Sequence, residues 1–189
     1  MALTIPGAAA VLAVNLASVL HVGPGAATLA TGVSTGINTW AHTITVVTAD
    51  VGLAGTGAGA VPLLVPAPVL VAALGVGFAA QQIVGAMAPL TVLGLSNGLN
   101  LAFLQAQVVT AHPTVGVGSC VCTFKSVSAI PAMIAGFASS GMVNVGSIKM
   151  ATAIGMGLDI IFAALQLPSP IVGAPGSSPA AGVGVGTIL

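Results

Sequence analysis

Residues 78–107, FAAQQIVGAMAPLTVLGLSNGLNLAFLQAQ, align without a gap on residues 137–166, FASSGMVNVGSIKMATAIGMGLDIIFAALQ, when the chain is shifted by 59 residues. Phe78/Phe137, Ala79/Ala138, Val84/Val143, Gly98/Gly157, Leu99/Leu158, Phe103/Phe162 and Gln107/Gln166 coincide, and Gly77/Gly136 precede them. Each copy then enters a proline-containing turn, AHPTVGVG at 111–118 and LPSPIVGAPG at 167–176. Small and apolar residues dominate both copies, with a glycine break in the middle. That pattern predicts a helical hairpin used twice, a common way of building a pseudo-symmetric bundle.

Outward from the repeat, the N-terminal third reads as a further hairpin. AAAVLAVNLASVLH is expected to form a short helix, Gly-Pro-Gly at 23–25 a break, and the following stretch a longer helix ending before the glycines at 52–59. In that second helix Thr28, Thr31, Thr35, Asn38, His42 and Thr45 recur at spacings of three and four, tracing one polar seam along an otherwise apolar helix. Three roles fit such a seam: hydrogen bonding between identical helices around a symmetry axis, the lining of a wet lumen, or hydroxyls bonded back to the carbonyls one turn earlier. Gly32 and Gly36 form a GxxxG on a neighbouring stripe, where a second helix can approach closely. Residues 168–189, PSPIVGAPGSSPAAGVGVGTIL, have no helical periodicity and are expected to be an extended tail docking on a neighbour. The expected organisation is therefore a hairpin with a polar seam at 1–60, duplicated hairpins at 61–167 and the tail at 168–189. The fold class is mainly α, with about five or six apolar, Gly/Ala-rich helices.

Composition limits what these helices can do. The chain has 189 residues, of which 57% are hydrophobic and 2% charged, with a mean hydropathy of +1.18. A soluble domain of ordinary composition carries roughly 25% charged residues. Such a surface has to be covered by lipid or by other protein. Net charge is zero and no basic cluster exists, so several phosphates cannot be neutralised and direct nucleic-acid binding is excluded as an expectation. High hydropathy with low charge is also the reverse of a disordered composition. The N-terminal apolar stretch lacks the positive n-region of a secretory signal and reads as mature sequence.

The stretch from Val51 to Phe124 contains no Asp, Glu, Lys or Arg, several times the roughly 20 residues that cross a bilayer as helix. Orientation signals are nevertheless missing. Lys125 and Lys149 are the only basic side chains apart from histidine, Trp40 is the sole tryptophan and there is no tyrosine, so neither a positive-inside bias nor an aromatic belt can be assembled.

Catalytic chemistry is equally scarce. Asp50 and Asp159 are the only carboxylates and have no spacing that makes an acid/base pair. Asp50 is expected at a helix end. Asp159 reads either as a proton carrier in a membrane helix or as a helix-end group or a partner for Lys149, and the second reading fits better because Asn100 stands at the matching position of the repeat. His21, His42, His112, Cys120 and Cys122 hold the donor atoms of a zinc site but match no compact zinc spacing. Cys120 and Cys122, two residues apart, imply no disulfide framework. GLAGTGAGA at 52–60 lacks the Lys-Ser/Thr of a phosphate loop and reads as linker or tight turn. The expectation is a protein that is not an enzyme, with no catalytic, cofactor or metal residues.

STGINTWAHTITVV, VPLLVPAPVLVAALGVGF, HPTVGVG and PSPIVGAPG, in this order, resemble segments of the small, nearly uncharged structural proteins of tailed-phage virions. The resemblance covers most of the chain in style and segment order. It implies a tail or baseplate component whose apolar surface is hidden by neighbours and which inserts into a membrane or forms a pore during delivery. Partners would be further copies of the chain, other assembly proteins and the lipid bilayer, and the localisation would be the virion. The alternatives are a resident polytopic membrane protein, such as a channel or small transporter subunit, and a zinc-stabilised tip protein similar in ligand inventory to PAAR proteins.

Overall fold

The computed structural model describes residues 5–19, 22–41, 45–51, 55–60, 67–104, 107–112, 123–125, 129–164, 171–172 and 181–187, the strands as backbone alone. Six helices carry the fold: α1 (Ile5–Ser18), α2 (Pro24–Ala41), α3 (Ala67–Ala80), α4 (Met87–Leu104), α5 (Ala129–Ser139) and α6 (Val145–Ala164). The fold is mainly α. Strands β1 (Thr45–Val51), β2 (Gly55–Ala60), β3 (Gln107–His112), β4 (Thr123–Lys125), β5 (Ile171–Val172) and β6 (Ala181–Thr187) fall between and after the helix pairs. The chain is thus a helix–helix–strand–strand order repeated three times.

The hairpins related by the 59-residue shift are α3–α4 and α5–α6. A shift of 62 residues, Gly36 onto Gly98, places α1–α2 on α3–α4 as well. Val22, Val84 and Val143 then coincide, as do Gly36, Gly98 and Gly157, and Asn38 and Asn100 with Asp159. Burial follows the same correspondence. Leu12, Leu74 and Met133 are buried at equivalent points of the first helices, and Val33, Leu95 and Ile154, then Ile37, Leu99 and Leu158, at equivalent points of the second helices. Complete burial of one such side chain contributes on the order of 2 kcal/mol, so the threefold repetition concerns the residues that hold the fold together.

Each helix packs on the next in chain order, and α6 returns to α1, closing a ring with approximate threefold repetition. Buried residues of all six helices form one hydrophobic cluster. Among the described residues the second and third units turn back through the same device. Gln82 N–H donates to the Ala79 carbonyl and Ile83 N–H to the Phe78 carbonyl. Gly141 N–H and Met142 N–H do the same to Ala138 and Phe137. Both are Schellman ends, with a left-handed residue at Gln82 (φ 55) or Gly141 (φ 82). The second helix of each pair then starts on a turn residue: Pro24 follows Gly23, and Asn144 Oδ1 accepts the Ser147 N–H at 2.8 Å to cap α6.

The strands join the helix ends remote from these turns. They pair antiparallel in the order β4-β3-β2-β1-β6-β5. β6 lies along the whole of β1, from Thr45↔Thr187 to Val51↔Ala181, so the described part of the extended C-terminal segment is laid on a strand of its own chain.

Two local expectations are corrected. The helix carrying the polar seam ends at Ala41, and Thr45 and Asp50 belong to β1 rather than to that helix. The run TITVV is β-branched throughout, which favours the pleated backbone over the helix. Residues 55–60, expected as linker, form β2 between β1 and β3. Main-chain ladder bonds hold this glycine-rich strand, and they need no side chains.

Candidate functional site

Thr28, Thr31 and Thr35 lie half-buried on α2, and their hydroxyls donate to the carbonyls of Pro24, Ala27 and Thr31 at 2.9, 3.0 and 2.9 Å. Thr39 repeats the pattern onto Thr35. Each hydroxyl proton is therefore used inside the helix. Asn38 is half-buried on the same face, and His42 lies outside the described residues. The ring interior is packed with side chains such as Val33 and Ile37.

The glycine pair on the neighbouring stripe meets α3. A Cβ on Gly36 would fall 2.6 Å from the Leu74 Cα, and one on Gly77 would collide with the Gly32 carbonyl and lie 2.8 Å from the Gly36 nitrogen. The α4–α5 crossing is built alike, from Gly94 and Gly98 against Gly136. At the α6–α1 crossing Gly157 lies against Leu12 of a helix in which Asn15 stands where the other units have Gly77 and Gly136. The helices there pack less closely. Asn15 is buried and donates to the Val11 carbonyl at 2.9 Å.

Asp159, half-buried on α6, accepts the backbone N–H of Ala129 at 2.8 Å. Ala129 opens α5, so the carboxylate covers an orphan donor at the positive end of a helix. That is a positioning role across the hairpin. Lys149 is exposed on α6. Among the described residues there is no group of three or more His, Cys, Asp or Glu able to hold a metal. His21, Cys120 and Cys122 lie outside the described residues, and His112 ends β3.

The most distinctive surface is the end of the ring formed by the three hairpin turns. Val22, Val84 and Val143, equivalent in the repeat, are 71%, 84% and 69% exposed. Met87, Val145 and Ile148 are also exposed beside the turns. Between α3 and α4 an apolar groove of about 430 Å³ opens towards the same turn, lined by Val71, Gly75, Phe78, Ile83 and Pro89 among others. Gly75 borders the open space of this groove: a Cβ there would meet no atom within 4 Å. Nothing in the motif reading singled out this surface. The one signal was Val84/Val143 in the repeat, which needed the third copy to become a pattern. Among the described residues no helix is long and apolar enough to cross a membrane.

Comparison with protein-family models, with curated proteins and with solved structures gives no match.

Proposed function

We propose that the chain is a non-catalytic structural component of a virion or injection assembly, of the tail or baseplate kind. The observation that carries this reading is the exposure of equivalent apolar residues at all three hairpin turns of a ring with a packed interior. Exposed valines in water forgo burial free energy of roughly 25 cal/mol per Å², and patches of this kind are covered by protein or lipid in the working state. The near absence of charged side chains supports the same reading, because a freely dissolved monomer of this composition would self-associate. The covering partners in this reading are further copies of the chain and other assembly proteins. Insertion of the apolar end into a bilayer during delivery is part of the proposal.

Detergent-free density-gradient fractionation of the native source, with the chain followed by mass spectrometry, tests it. Co-migration with a protein-rich particle is the expected result. Flotation with lipid that resists an alkaline wash would overturn it and make the chain a resident membrane protein.

A further inference from the structure

We infer that the turn end of the ring docks on a homotrimeric protein, one chain per trimer, with the two threefold arrangements superposed. The inference deepens the assembly reading above and rests on it for the kind of partner alone.

The three turns share an equivalence that packing does not require. Core positions of the three units match because each hairpin has to fit the same ring. Val22, Val84 and Val143 are under no such constraint, being 71%, 84% and 69% exposed. The surrounding turns differ: Gly23-Pro24-Gly25 in the first unit, Gly85-Ala86-Met87 in the second, Asn144-Val145-Gly146 in the third. Gln82 even stands where Gly141 takes the left-handed conformation. The same apolar side chain thus recurs at the same exposed point of three turns whose other residues diverged.

A partner made of one asymmetric chain would present three different surfaces to the turns, and nothing would hold them alike. A trimer with a threefold axis presents one site three times, at the spacing a threefold ring can meet. Three weak contacts then act together, since the second and third form at high effective concentration once the first has formed. The charge-free character of the turns, with Lys149 the only ionised side chain described near them, makes the matching site an apolar pocket or ledge repeated on each subunit.

The test places a photo-cross-linking amino acid at Val22, Val84 or Val143, one position per variant, in the full chain within the native assembly, and maps the cross-linked peptides. Exposure of all three sites keeps the fold intact, and circular dichroism of each variant checks it. Cross-links from all three positions to one and the same segment of one protein, with one copy of this chain to three of that protein by quantitative mass spectrometry, are expected. Three different segments or proteins, cross-links to another copy of this chain, or no protein cross-link with label entering lipid would each overturn the inference. Failure here with particle co-migration intact leaves the assembly reading standing. Success in a protein that is not part of a particle removes the assembly reading and keeps the trimer.

Discussion

Gly136 of α5 lies against Gly98 of α4 so closely that a Cβ on Gly136 would overlap the Gly98 main chain. The obstructing atoms are backbone, which cannot move aside as a flexible side chain could. Gly77 stands in the same relation to Gly32 and Gly36 of α2, so two of the three joints between hairpins depend on the absence of a side chain.

Gly136→Ala is therefore expected to destabilise the fold by about 1–3 kcal/mol through overpacking. Gly75→Ala, in the interior of α3 where an added Cβ meets nothing, is expected to stabilise it by up to about 1 kcal/mol from helix propensity. Denaturant unfolding of the two variants beside the parent chain gives both values. Equal effects would mean that the α4–α5 joint relaxes freely.

Gln82 holds φ 55 at a Schellman end where the third unit uses Gly141. A left-handed conformation costs a residue with a Cβ roughly 1 kcal/mol. Gln82→Gly should raise the unfolding free energy by up to about that amount, and Gly141→Gln should lower it similarly. Thermal melts of the two variants, shifting in opposite directions, are the check.

Ser34 is fully buried on α2, and its hydroxyl has no hydrogen-bond partner among the described residues. An unmade buried hydrogen bond costs about 1–3 kcal/mol, and alanine is the better helix former. Ser34→Ala should stabilise the protein by about 1 kcal/mol in denaturant unfolding. A loss of stability on this substitution would reveal a partner for the hydroxyl.

Asp159 covers the first N–H of α5. Asp159→Asn keeps the accepting oxygen and should cost a few tenths of a kcal/mol, whereas Asp159→Leu should cost about 1 kcal/mol, the usual worth of a capping oxygen. Amide hydrogen exchange at Ala129, accelerated in the leucine variant and little changed in the asparagine variant, would separate capping from any general effect of charge.

Much of the helical fold was legible from residues. Apolar runs cut by glycine and proline marked the hairpins, and Phe78/Phe137 with Gly98/Gly157 marked the repeat. The first copy was obscured because its offset is 62 residues where the other is 59, so no single shift aligns all three. The strands were obscured for another reason. Gly55–Ala60 alternates glycine with Thr56, Ala58 and Ala60, side chains too small to mark a buried face, and its pairing with β3 joins it to a backbone segment far along the chain.

By itself the sequence determined the composition of the surface, the scarcity of titratable groups and the helical hairpins, because charge count and local periodicity are written residue by residue. Tertiary structure decided that six helices close into a ring, that the Thr28, Thr31 and Thr35 hydroxyls are spent within α2, that Asp159 caps α5, and that Val22, Val84 and Val143 share one exposed end. Each of these depends on which distant segments meet, and close helix contact through Gly77 and Gly136 is what brings them together.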